Sequence, residues 1–344
     1  MPTAHVPPSR AAQARTSHTR TLEWPTLLLA LGVHAVFLGL VLAAPHVGIW
    51  AYLALVPVLT LHSSLQHEVL HGHPFRAPRL NWIFVALPLG MFVPYWRFRA
   101  LHIAHHRDPA LTDPFDDPES WYRDPCDWAG MSPVKRWFLT ATNTLAGRML
   151  LGPIAGMAGL VAGDARAILA GRRDVLAAWA EHLAALALLV WLLRQVPGFS
   201  LTGYVAACYG ASVLLCLRTF LEHRAEDAVG HRSVIIEESG PLAALFLFNS
   251  LHAVHHLDPS LPWYGLRAAY ARDRAQVIAA NGGYVYRSYA QIIRRYAFRC
   301  KEPVVHPLRG TAAGLRTPDA SAEASRTAFA PEGVSPGARV SGET

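Results

Sequence analysis

The residues of this sequence best equipped for chemistry are histidines, and half of the 18 it contains fall into a recurring pattern. His67 and His71 stand four apart in HEVLHGH, His102, His105 and His106 form HIAHH, and His252, His255 and His256 form HAVHH; a ninth, His223, sits in RTFLEHRAED. Spacings of three and four put side chains on one face of a helix, about one turn apart. Each H-x-x-H-H element can therefore point three imidazoles into one small volume. Imidazole suits iron, copper and zinc alike. A catalytic tetrahedral zinc uses three protein ligands and a water, which nine imidazoles exceed. Their number argues for two metals of higher coordination number more strongly than it identifies them.

Other readings of the same residues explain less. His67-Glu68-Val69-Leu70-His71 matches the H-E-x-x-H pattern of zinc proteases, with Glu68 as base, but that leaves six clustered histidines without a task. Ferritin-like sites need two Glu-x-x-His motifs and further glutamates, and Glu68 to His71 is the only such pair in the chain. A histidine-rich metal carrier predicts polar residues along the apolar segments, which carry few. Isolated histidines (His34, His46, His62, His73, His182, His231, His306, His5 and His18) read as structural.

The elements that must hold these histidines lie in a membrane. Hydrophobic residues make up 52% of the chain and charged ones 16%, a balance foreign to water-soluble domains. Four segments offer the ~20 residues a bilayer core requires: 24–44, 48–66, 177–193 and 201–220. Residues 82–96 and 149–163 are shorter and broken by proline and glycine, so each reads as re-entrant or interfacial. No Lys or Arg occurs from Thr21 through His73, and Arg194 is alone between Asp174 and Leu217. The net charge of +7 resides in the other segments. By the positive-inside rule both termini and all long segments are cytoplasmic; nucleic acid is not the implied partner.

The expected fold is thus an all-α integral membrane protein, four transmembrane helices in two hairpins with a cytoplasmic helical cap that carries the histidines, in the inner (cytoplasmic) membrane. Its parts are a basic arm (1–23), a catalytic domain (24–308) and a disordered tail (309–344). Four scattered cysteines form no C-x-x-C pair, consistent with a reduced protein without an iron–sulfur site.

HEVLH, HIAHH and HAVHH, in that order around two hairpins, resemble the three histidine boxes of the integral-membrane fatty acid desaturase superfamily, which also holds alkane hydroxylases and carotenoid ketolases and hydroxylases. HHLDPSLPWYGL after the third box is similar to the ending of that box in family members. The resemblance covers about residues 24–305. It implies that His67, His71, His102, His105, His106, His252, His255 and His256 bind a di-iron centre, with His223 as ninth ligand, and that O2 is the oxidant. The first box begins His-Glu, as in the hydroxylases, where acyl desaturases more often have His-Asp. The activity implied is an acyl desaturase that introduces a C=C bond into a lipid chain; the alternative is a hydroxylase or ketolase of an alkane, lipid or carotenoid.

Groups that accept the free N–H of a ligating imidazole fix its orientation. The candidates are Glu68, Asp108, Asp113, Asp116, Asp117, Glu222 and Asp258. No site for an internal electron carrier occurs, so a ferredoxin, a flavoprotein reductase or a b-type cytochrome must supply electrons. Arg97, Arg99, Arg107, Arg123, Arg224, Arg232, Arg267, Arg272 and Arg274 are candidates to dock it or to meet lipid phosphates.

Overall fold

The computed structural model describes residues 22–75, 77–106 and 110–309. Helix α1 (Trp24–Val47) runs into α2 (Ile49–Leu70) through Gly48, whose φ of 61° favours glycine. Next come α3 (Pro78–Ile83), α4 (Tyr95–His105), α5 (Pro125–Gly130) and α6 (Pro133–Ala141). The long helices α7 (Leu145–Leu169), α8 (Arg173–Arg194) and α9 (Leu201–Thr219) follow, then the short α10 (Pro241–Leu245) and α11 (His252–Leu257), and finally α12 (Trp263–Ala280) and α13 (Tyr289–Tyr296). Two short strands, β1 (Ile235–Ile236) and β2 (Val285–Tyr286), pair in parallel.

Among the described residues, five helices (α1, α2, α7, α8 and α9) are long and apolar enough to cross a membrane. Their outward faces carry Leu28, Leu38, Trp50, Leu183, Leu188 and Trp191, all exposed, a surface suited to lipid rather than water. Inward, Phe37, Leu55, Leu59, Leu189 and Tyr204 form a buried cluster. Helices α2 and α9 approach closely because glycine stands at the contact. A Cβ on Gly203 would lie 3.1 Å from the ring of Tyr52, and one on Gly210 3.1 Å from Val56.

The two hairpin turns lie at one end of this bundle, where the Ser200 amide donates to Tyr52 Oη at 2.7 Å. The last turn of α2, the end of α9 and α4 meet at the other. Between α3 and α4 there is no helix. The chain dips between the long helices, burying Val85 and Leu89, and returns at Tyr95. Tyr204 Oη donates to the Leu89 carbonyl at 2.6 Å, and His182 Nε2 to that of Met91 at 2.9 Å. Residues 82–96 thus form no helix long enough to span, as their length leads one to expect.

The expectation of a short segment at 149–163 is corrected, since α7 is a continuous helix of 25 residues. Asp164 ends the apolar run without ending the helix, because its charge is satisfied internally. Its carboxylate accepts from Arg97 Nε and Nη2 at 2.9 and 2.7 Å and from Trp179 Nε1 at 2.8 Å. Both ends of α7 pack toward the same end of the bundle. Leu145 joins Leu217 and Phe220 at the end of α9, and Asp164 joins α4 and the first turns of α8. Over this end, Val234, Ile236, Phe246, Tyr284, Tyr289 and Ile292 build a second core that seats the short helices on Phe220 and Leu221.

Candidate metal centre

Each group of histidines occupies the end of a helix. His67 lies in the last turn of α2 and His71 caps it; His102 and His105 end α4, with His106 as cap; His252, His255 and His256 make up half of α11. Six residues are too few for a helix to persist alone, so α11 is held from outside. The Ala253 amide donates to the Val234 carbonyl at 2.9 Å, and the Ile236 amide to that of Ser250 at 2.8 Å, tying both sides of its start to β1. Leu247 and Phe248 precede it with φ of 51° and 57°. Two such non-glycine residues in succession mark a turn imposed by its surroundings.

These elements converge, and the nine imidazoles sort into two groups. His67, His71, His102, His106 and His255 form one; His105, His223, His252 and His256 form the other. Within each, one nitrogen per residue lies within 4.8 Å of all the rest. His223 Nε2 is 2.9 Å from both His105 Nε2 and His252 Nε2, and His252 Nε2 is 3.1 Å from His256 Nε2. In the other group His106 Nε2 is 3.0 Å from His102 Nε2 and 3.1 Å from His255 Nε2. The groups adjoin, with the rings of His106 and His256 stacked at 4.2 Å.

This arrangement fits cations and does not fit hydrogen bonding. An imidazole nitrogen carries one proton or one lone pair, so three or more nitrogens facing one another cannot all pair. Among the described residues, Nε2 of both His67 and His71 is buried without a hydrogen-bond partner, a cost of about 1–3 kcal/mol each if nothing else binds them. Two cations, one per group, would satisfy the whole set, and the nitrogen donors suit iron, copper or zinc.

Four of the outer nitrogens are anchored. His105 Nδ1 is 2.8 Å from Asp117 Oδ1, and His102 Nδ1 is 2.9 Å from Glu119 Oε1. His252 Nδ1 is 3.3 Å from Asn249 Oδ1, and His223 Nδ1 is 3.3 Å from Ser233 Oγ. Of the candidates from the sequence, Asp117 sits where expected. Glu222 lies one step further out: its Oε1 is 3.8 Å from His252 Nδ1, accepts from Asn249 Nδ2 at 3.5 Å and pairs with Arg218 Nε at 3.0 Å.

The remaining candidates go elsewhere. Glu68 Oε2 accepts the Trp263 amide at 3.1 Å, and Asp258 Oδ1 accepts from Ser260 Oγ and its amide. Asp113 accepts the Phe115 and Asp116 amides and pairs with Arg309. Asp108 and Arg107 lie outside the described residues. Glu119, Asn249 and Ser233 were not singled out from the sequence; of these only Glu119 carried a signal, as an acid in the stretch after the second box.

Burial, followed by the repulsion of neighbouring imidazoles, holds His223, His252, His255 and His256 well below the ordinary histidine range and His106 at about 3. These are neutral imidazoles with lone pairs to donate. His105 goes the other way, up to about 9, since burial opposes its charge but the Glu119 and Asp117 carboxylates outweigh it. In the four-histidine group a proton on His105 Nε2 and a shared cation compete for one position.

Comparison with known proteins agrees with this geometry. A family model described as fatty acid desaturase matches residues 42–289, which include all nine histidines. The chain is also similar to a beta-carotene ketolase of Paracoccus sp. (strain N81106 / MBIC 01143), 29% identical over 251 residues, 69% of this chain and 85% of that protein.

Proposed function

The chain belongs to the fatty acid desaturase family and is a membrane oxidoreductase, and from that premise we propose that it is an O2-dependent di-iron oxidase that desaturates a long acyl chain. The observation that carries the reading is the sorting of nine imidazoles into groups of five and four, with anchored outer nitrogens and buried inner ones. His67, His71, His102, His106 and His255 would hold one iron and His105, His223, His252 and His256 the other. When bound, iron supplies the activation of O2 needed to attack an unactivated C–H bond, which no side chain can do.

The chain's own part is to bind, orient and keep dry. Asp117, Glu119, Asn249 and Ser233 fix the imidazoles, and burial keeps most of them unprotonated. Desaturation consumes O2, two electrons and two protons and releases two waters; oxygenation consumes the same and releases one. Either way the electrons come from outside, through a ferredoxin, a flavoprotein reductase or a b-type cytochrome. Of the arginines considered for docking, Arg97 is committed to Asp164, Arg272 to Asp273 and Arg274 to Glu237. Arg224 is held too, by Glu226 and the His231 carbonyl, whereas Arg267 is exposed.

In the membrane we read four spans: α1, α2, α8 and α9. The contacts at both ends of α7 support its lying along the interface. The two hairpin turns are nearly devoid of Lys and Arg, which supports a cytoplasmic site and cap. A second reading, hydroxylation or ketone formation on a carotenoid or other hydrocarbon, draws support from the ketolase relative. The zinc-protease reading needs Glu68 at a metal-bound water, and its carboxylate is engaged by Trp263.

Lipid analysis of cells expressing the protein tests the assignment. A product lighter by two hydrogens is expected; a gain of one oxygen (an alcohol), or of one oxygen with loss of two hydrogens (a ketone), gives the second reading instead. If a His105→Ala variant yields the same product, the di-iron reading fails.

A further inference from the structure

Beneath α7, between that helix and the segment 112–123, lies a cavity of about 1120 Å³. That is just above the ~300–1,000 Å³ usual for small-molecule sites. Its inner end is formed by Thr219, Glu222 and His223, and no imidazole of the five-histidine group lines it. It thus meets the four-histidine group, the one with fewer protein donors, and a catalytic metal is the one that keeps a position open.

We propose that this cavity is the passage by which a long, slender hydrocarbon chain reaches the centre, and that Gly156, Gly159 and Gly163 set its width. For the reaction this rests on the di-iron reading above; for binding it does not. The charged groups along the wall are mostly engaged with the protein. Arg97 pairs with Asp164, Asp117 and Glu119 hold His105 and His102, and Lys301 Nζ donates to the His223 carbonyl at 2.7 Å. Arg148 donates to the Thr142 carbonyl at 2.8 Å and lies over Trp121 at 3.5 Å. Of the other lining residues, Leu101, Phe115, Trp121, Leu139, Ile154 and Leu160 are apolar, and Arg123, Asp127, Lys135 and Arg166 are charged, the last three exposed, where they can meet the polar end of an acyl chain.

The position of α7 gives such a chain a dry entrance. Leu150 and Ile154 are 63% and 58% exposed on a helix of spanning hydropathy, and Ile154 also lines the cavity. A hydrocarbon can therefore slide from lipid under α7 without crossing water. The three glycines stand at i, i+3 and i+7, on one face and on the cavity wall. A Cβ on any of them meets nothing within 4 Å. No protein neighbour requires their smallness, yet each costs helix stability, about 1 kcal/mol relative to alanine. Space kept open at that cost, in a slot that ends on an imidazole, is space for a ligand.

The test is photo-crosslinking of a diazirine-bearing stearic acid to the full chain in lipid nanodiscs, mapped by peptide mass spectrometry. Adducts are expected within 112–123 and 154–164. They should fall stepwise through Gly159→Ala, Gly159→Leu and Gly159→Trp, at least tenfold by the last, with iron content unchanged. Val161→Trp, outside the cavity wall on an exposed position, should leave the adducts at the wild-type level. A flat series at position 159, or adducts confined to the outer faces of α1 and α8, would overturn the proposal. Should the tryptophan variant not fold, the alanine and leucine steps still decide. Labelling needs no iron, so a protein that lacks iron but labels as expected would defeat the function proposed above and leave the passage standing.

Discussion

Glu119 and Asp117 reach the second histidine box from a loop, not from a helix, and they illustrate what single residues contribute. Asp117 binds His105 with one oxygen and the Thr112 amide with the other, while the Glu119 amide donates to Asp117 Oδ1. The two anchors are therefore built on each other. Loss of a group that orients a metal-bound histidine typically weakens binding or activity 10–100-fold. Glu119→Ala and Asp117→Ala should each lower iron retention by about that factor in a chelator titration, whereas Asp113→Ala, which loses its pair with Arg309 and its caps on the Phe115 and Asp116 amides but no bond to an imidazole, should not. Glu68→Gln should keep both iron and activity, because a glutamine oxygen can still accept the Trp263 amide; loss of metal would restore Glu68 to the centre. The imidazoles were legible because their spacing is a property of one helix at a time. Glu119, Asn249 and Ser233 were not, because a tertiary turn brings them within reach, and Glu68 reads as an anchor in the sequence only because it is adjacent to a clustered histidine.

At the scale of elements, the Arg97–Asp164–Trp179 set ties three helices, α4, α7 and α8, into one frame beside the second box. The Asp164 and Arg97 side chains are only 5% and 13% exposed. Removing one partner of a buried pair strands the other charge, at a cost of roughly 3–5 kcal/mol, whereas replacing both with apolar groups of similar size is often close to neutral. Asp164→Ala should lower the thermal midpoint markedly, and Arg97→Met with Asp164→Leu should recover most of the loss; an Asp164→Ala protein as stable as wild type would deny the frame. This pair also explains why α7 looks short in the sequence. Its apolar run stops at Asp164 in the sequence, and nothing local reveals that the charge is met by residues 67 and 15 positions away. The other long helices were legible to within about four residues because composition alone specifies them, and the dip at 82–96 because its prolines and length forbid a span.

For the molecule as a whole, topology and metal content are the properties that decide function. Cys126 and Cys300 are exposed and lie on either side of the α7–α9 segment. With four spans they face the same compartment, and with α7 as a fifth span they face opposite ones. A membrane-impermeant maleimide should label both from the cytoplasmic side and neither from the other, while Cys208, buried, stays unlabelled; labelling from opposite sides would make α7 a span. The central claim, that the two histidine groups each hold an iron, is tested most directly by elemental analysis of the purified, detergent-solubilised protein beside a His102→Ala variant. The account predicts about two irons per chain, lost or sharply reduced in the variant. One zinc per chain, retained in the variant, would contradict it.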